Sequence, residues 1–147
     1  MIYFDHAATS FPKPPAVAAA VTEAIGSFGN PSRSAHAYAL AAGRCAEYAR
    51  LEIGELFHCP RPERIAFTKN VTEALNIAIQ SVDGHIVTTA AEHNSVLRPA
   101  HSRPHTIVPV DAAGYYTLAD IAGAVRPDTG AIVVGHASNL TGNIAPV

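Results

Sequence analysis

At 147 residues, with 48% hydrophobic and 15% charged residues, the chain suits one globular domain with a sizeable core and not a disordered chain. The formal net charge is −2 and both signs are scattered; no basic stripe exists to neutralise phosphates, so no nucleic-acid partner is expected. Met1 to Asp5 lack the texture of a signal peptide, and the apolar run Val17 to Val21 soon meets Glu23, so no membrane association is expected.

Residues 1–15 read as an extended arm broken by Pro12, Pro14 and Pro15. A helical part follows over residues 16–58. Its first helix spans about Ala16 to Phe28 and ends before the Gly29-Asn30-Pro31 breaker. Ser32 or Ser34 then caps a longer helix running toward Phe57, with Leu40, Tyr48, Leu51 and Leu56 as core contacts. Gly43 and Gly54 weaken its continuity. Beyond the turn at Pro60 to Pro62, residues 63–147 alternate short strands with helices. Arg64 to Thr68 reads as a strand, Val71 to Val82 as a helix, and His85 to Thr89 as the next strand. A short helix follows His93, then a strand near Thr106 to Val110 and a turn at Asp111 to Gly114. Thr117 and Asp120 have the spacing of a capping box for a helix over Leu118 to Val125. Ala131 to Gly135 is apolar throughout, as a strand covered on both faces should be. The alternation predicts an α/β fold built on a parallel sheet with crossover helices. Cys45 and Cys59 are isolated thiols, too few for a disulfide framework, and they point to a reducing cytoplasm.

In open parallel sheets, ligands gather at the carboxyl ends of the strands. Here the predicted strands run into Lys69-Asn70-Val71-Thr72-Glu73, Ala90-Ala91-Glu92-His93-Asn94 and His136-Ala137-Ser138-Asn139. Three polar clusters should therefore converge on one sheet edge. The first can hold an anion on free helix-start amides, with Thr72 adding a hydroxyl. The same Asn70 to Glu73 spacing also fits an ordinary capping box, which is the commoner use. His93 is one of eight histidines: a surface or hydrogen-bonded residue, or an imidazole face stacked on an aromatic cofactor. No second ligand at helical spacing supports a metal there. Asn139 can donate to a phenolate or carboxylate, or hold a turn before Gly142.

Taken together, five segments resemble one family. They are Tyr3-Phe4-Asp5-His6-Ala7-Ala8-Thr9-Ser10, Gly29-Asn30-Pro31-Ser32-Arg33-Ser34-Ala35-His36, Phe67 to Asn76, Glu92-His93-Asn94-Ser95-Val96-Leu97-Arg98-Pro99, and His136-Ala137-Ser138-Asn139-Leu140-Thr141-Gly142. In this order and spacing the chain resembles the class V aminotransferase-type enzymes, which use pyridoxal 5'-phosphate (PLP), and the cysteine desulfurases among them. The resemblance implies the N-terminal half of the large domain of a fold-type-I PLP-dependent transferase, mainly parallel sheet with flanking helices, with residues 1–147 as a partial PLP-binding domain. Carried over by position, Asn70, Val71 and Thr72 hold the phosphate, His93 stacks on the pyridine ring, and Asn139 bonds the ring hydroxyl and the substrate carboxylate. Ala7, Ala8 and His36 lie near the substrate.

Such an enzyme needs a Schiff-base lysine. The chain has two lysines, Lys13 and Lys69, and neither has the family's active-site context. The catalytic cysteine loop of the family is not matched by Cys45 or Cys59. The resemblance thus implies a cysteine-like amino-acid substrate and a remainder of the enzyme, on a second polypeptide or a missing segment beyond Val147. It also implies a homodimer of the complete unit, and no catalysis by residues 1–147 alone. A selenocysteine lyase, a transaminase and a truncated non-catalytic binding module are the competing readings.

Overall fold

A computed structural model of the chain describes residues 2–146. Met1 of the expected arm and the Val147 end lie outside the described residues. The chain divides into two compact units, Met1–Phe67 and Thr68–Val147.

The first unit is helical. Its arm has no regular secondary structure and turns after Asp5, whose carbonyl accepts the Ala8 and Thr9 amides. Helix α1 (Pro15–Ser27) starts on a proline, whose missing N–H has no helical role at that position, and ends on extended Phe28. Helix α2 (Ala37–Leu56) runs unbroken through both glycines. Its cap is His36, whose Nδ1 accepts the Ala39 amide at 3.3 Å, and not Ser32 or Ser34. Ser32 sits in a separate turn in which Asn30 Oδ1 accepts its amide. The expected core leucines are also corrected. Leu40, Tyr48, Leu51 and Leu56 are exposed, whereas Ala39, Ala42 and Gly54 are buried. Small residues allow close approach: a Cβ at Gly54 would come within 3.1 Å of Pro62 Cβ in the following 3-10 turn, Pro62–Arg64. The expected strand at Arg64 to Thr68 is absent. Residues 65–68 have no regular secondary structure and join no sheet. Arg50 holds them instead, donating from Nε to the Ile65 carbonyl at 2.9 Å and lying 5.2 Å from the centre of the Phe67 ring.

The second unit is α/β, in the order α3 (Val71–Ser81), β1 (His85–Thr89), α4 (Asn94–His101), β2 (His105–Val108), α5 (Leu118–Ala124) and β3 (Thr129–Val133). The sheet order is β2-β1-β3 and both pairings are parallel. β1 is central and all five of its residues are buried, the mark of a strand covered on both faces. Val87, Val108 and Ile121 form a core cluster against which Tyr116, Ala124 and Val134 pack. β3 departs from the expected two-sided burial: its residues alternate between half-buried and exposed, and Ile132 is 48% exposed. An edge strand of this sheet is shielded less than the central one.

Two local features fix the register. His85 is fully buried, with Nδ1 3.0 Å from Thr129 Oγ1 and Nε2 2.8 Å from Thr106 Oγ1, so one imidazole clasps all three strands. Opposite it the β1–β3 register skips, from His85 beside Thr129 to Ile86 beside Ala131. The skipped residue, Gly130, lies so close to Val82 and Asp83 that a side chain would collide with backbone. Thr117 and Asp120 form the expected capping box of α5.

Candidate functional site

Two of the three expected clusters sit at the carboxyl ends of sheet strands. Beyond β1, the turn Ala90 to His93 leads into α4, with His93 as its N-cap. The Ser95 amide donates to His93 Nδ1 at 3.1 Å, and Ser95 Oγ lies 2.8 Å away. A backbone N–H can only donate, so Nδ1 carries the lone pair and neutral His93 bears its proton on Nε2. The rest of the ring is exposed.

Beyond β3, residues 136–145 fold back as a small loop. Ala137 bridges Ile144 antiparallel, the Ser138 amide donates to the Asn143 carbonyl at 2.9 Å, and Ala145 N–H reaches the His136 carbonyl at 2.8 Å. Ser138 Oγ accepts the amides of Leu140 and Thr141, both at 3.2 Å, so Ser138 and not Asn139 holds this turn. Gly142 takes a positive φ of 75°, a region open to glycine without strain. Asn143 anchors the loop by donating to the Ala113 carbonyl at 2.7 Å. The Asn139 side-chain amide is exposed and has no partner among the described residues.

The two loops meet around a cavity of about 120 Å³ lined by Glu92, His93, Tyr116, Ser138, Asn139 and Asn143, among others. Glu92 ties them together: its Oε1 accepts Thr89 Oγ1–H and the Gly135 N–H, both at 2.9 Å. Tyr116 brings a buried hydroxyl with no hydrogen-bond partner among the described residues. Burial, and then the Glu92 carboxylate, push the Tyr116 phenol above its ordinary value of 10.0.

The third cluster stands apart from this cavity: Asn70, Val71 and Thr72 do not line it. Without a strand at Arg64 to Thr68, they follow a segment with no regular structure and not a sheet strand. Asn70 caps α3, its Oδ1 accepting the Glu73 amide at 2.9 Å, while Glu73 Oε2 accepts the Lys69 amide at 2.6 Å. The Val71 and Thr72 amides, on the first turn, keep no acceptor among the described residues. Ala7, Ala8 and His36 belong to the first unit, where His36 serves as the α2 cap. Sequence reasoning missed Glu92 and Tyr116. Glu92 was legible only as a carboxylate beside His93, and Tyr116 belongs to no motif.

A parallel α/β unit with polar loops at the strand ends is the architecture of many nucleotide- and cofactor-binding enzymes, and the sequence match narrows the class. Residues 2–147 match the aminotransferase class-V family, and the chain belongs to it. Among its relatives are cysteine desulfurases. The cysteine desulfurase IscS of Stutzerimonas stutzeri is 34% identical over 158 aligned residues, which take in 97% of this chain and 39% of that protein. A NifS-like protein of known structure superposes with a TM-score of 0.87 at 28% identity, over 99% of this chain and 43% of that one. A second NifS-like protein, from Rickettsia africae, superposes at 0.86 and 26% identity, over 99% and 42%. The chain thus spans about two-fifths of the length of these relatives.

Proposed function

We propose that the chain is the cofactor-holding front portion of a PLP-dependent cysteine desulfurase-like enzyme. The observation that carries this is the convergence of His93 and Asn139 on one cavity at the ends of β1 and β3. The donor set suits the cofactor. An exposed imidazole face offers stacking, a free carboxamide offers a donor to a phenolate, and unclaimed helix-start amides offer an anion site. When bound, PLP supplies an electron sink for the carbanion formed on an amino acid.

In this reading the Val71 and Thr72 amides and the Thr72 hydroxyl, beside Asn70, take the phosphate. His93 stacks on the pyridine ring and keeps water from that face. Its Nδ1 is engaged by Ser95, which fixes the ring plane. Asn139 donates to the ring oxygen and to the substrate carboxylate, and Ala7, Ala8 and His36 border a cysteine-like substrate. Neither Lys13, in the arm, nor Lys69, one residue ahead of the α3 cap, suits the Schiff base. The lysine, the sulfur-accepting cysteine and the residue protonating the ring therefore come from a remainder on a second polypeptide or further segment. Residues 1–147 form a partial large domain, inactive alone, of a unit that is homodimeric when complete. Free Cys45 and Cys59 suit a reducing cytoplasm.

The test is a PLP titration of the purified chain by absorbance, with a denaturing intact-mass spectrum of the same sample. Saturable binding to the folded chain is expected. A larger polypeptide beside the 15.4 kDa chain would carry the lysine. A folded chain that never binds PLP, alone or with that polypeptide, would overturn the reading.

A further inference from the structure

We infer that Glu92 is the positioning residue that fixes the His93 turn and the Asn139 loop relative to one another, acting as a double hydrogen-bond acceptor. The inference rests on the proposed PLP site for its ligand readout only; the geometry stands by itself.

Glu92 directly precedes His93, and Gly135 directly precedes the loop that carries Asn139. One carboxylate oxygen joins them. Oε1 accepts the Gly135 N–H at 2.9 Å from the end of β3 and the Thr89 hydroxyl at 2.9 Å from the end of β1. Thr89 is fully buried, so one anchor lies within the packed sheet. Gly135 also leaves room for this contact: a Cβ there would stand 3.3 Å from Glu92 Oε2, close enough that the carboxylate would have to shift by a few tenths of an ångström. The ladder itself ends earlier, with Thr88 beside Val133. Past that point β1 and β3 exchange no further ladder bonds. Without Glu92, the two loops would leave the sheet with no direct tie at this level, and the separation of His93 from Asn139 would drift with each loop. A cofactor held by a ring face on one loop and a carboxamide on the other binds well only if that separation is preset.

The acceptor role separates two substitutions. Glu92→Gln keeps an Oε1 that accepts both bonds, whereas Glu92→Ala keeps none. The readouts are hydrogen exchange at the Gly135 amide, the NMR resonances of His93 and Asn139 in the ligand-free chain, and PLP affinity. In Glu92→Ala, Gly135 exchange should accelerate at least tenfold, both loop resonances should shift or broaden, and PLP affinity should fall about tenfold. Glu92→Gln should restore all three to within about twofold. A Gln variant as impaired as Ala would overturn the acceptor role, and an Ala variant with unchanged loops and affinity would overturn positioning altogether. If Glu92→Ala fails to fold, Thr89→Val removes one anchor at nearly constant volume. It should speed Gly135 exchange and weaken PLP two- to threefold, and an unchanged Thr89→Val would overturn the inference. If the wild-type chain binds no PLP, alone or with the larger polypeptide, the proposed function fails, and Glu92 is still judged on the Gly135 amide and the two loop resonances.

Discussion

His93 has two separable jobs, and a pair of substitutions pulls them apart. As the N-cap of α4 it accepts the Ser95 amide at 3.1 Å; as a proposed cofactor contact it offers its ring. Replacing an N-cap acceptor with alanine costs about 1 kcal/mol, while asparagine is among the best caps. His93→Ala should therefore lower the unfolding free energy by about 1 kcal/mol, and His93→Asn should leave it nearly unchanged. The exposed ring leaves little cavity, so no large core term adds to this. Stacking on a cofactor ring is lost in both variants. At about 1 kcal/mol for an aromatic contact beyond its area burial, PLP affinity should fall roughly fivefold in each.

Urea unfolding followed by circular dichroism reads the first quantity, and a PLP titration on the same preparations reads the second. If Asn restores affinity as well as stability, His93 acts through the cap alone and the stacking assignment is refuted. If Ala leaves stability untouched, the Ser95 bond does not support α4 in solution.

Four further outcomes follow from the same structure. Asn139→Ala should change unfolding free energy by less than about 0.5 kcal/mol, since its amide has no partner among the described residues, yet weaken PLP by more than about 1 kcal/mol; the reverse pattern in the urea and PLP titrations would make it structural. His85→Ala removes a clasp across three strands and leaves a cavity at a fully buried position. It should cost about 3 kcal/mol, and a urea-derived loss under about 1 kcal/mol would contradict the clasp. Gly130→Ala places a Cβ 2.7 Å from Val82 Cγ1 and onto the Asp83 carbonyl. Backbone cannot yield as a side chain does, so about 2–3 kcal/mol or more should be lost, and an unmoved urea midpoint would refute the bulge. The Thr117 hydroxyl, then the Thr117 amide, hold the Asp120 carboxyl below its ordinary 3.8. A depressed carboxyl stabilises the fold above its unfolded pKa and loses that contribution as pH falls through the folded one, so stability should drop as pH falls below the ordinary carboxylate range. Asp120→Asn should flatten that part of the pH profile, and an identical profile would remove Asp120 from the account.

What could be read from the sequence was whatever local chemistry decides. The α5 capping box, the Asn70 cap of α3, the Asp111 turn and the β1 strand depend on residues within a few positions of one another. Arg64 to Thr68 shows the limit: its apolar run suits a strand, but a strand also needs a partner, and here Arg50 claims the Ile65 carbonyl. The α2 cap went to His36 because an imidazole nitrogen accepts an amide as a serine does, while Ser32 was already engaged by Asn30. The α2 leucines were misplaced because apolar character alone does not say which face is covered, and Ala39, Ala42 and Gly54 took the close contacts. At the site, His93 and Asn139 were visible through their motifs. Glu92 was not, because its role exists only once β1 and β3 lie side by side.

The amino end of α3 shows how capping and anion binding, alternatives in the sequence, can share one turn. A helix start leaves four amides without intrahelical acceptors. Of these, Asn70 Oδ1 satisfies the Glu73 amide, while the Ala74 amide already makes the first intrahelical bond, to the Asn70 carbonyl; the Val71 and Thr72 amides keep no acceptor among the described residues. The Glu73 carboxylate works against an anion there, and one of its oxygens is already held by the Lys69 amide. The helix dipole favours an anion by only about 0.3–1 kcal/mol, too little by itself to offset a neighbouring carboxylate. In the proposed reading the Thr72 hydroxyl would have to help supply the difference. A cap alone has no use for that hydroxyl, so its place on the same turn as two amides without an acceptor among the described residues is what favours the proposed phosphate reading over capping as the whole purpose of this turn.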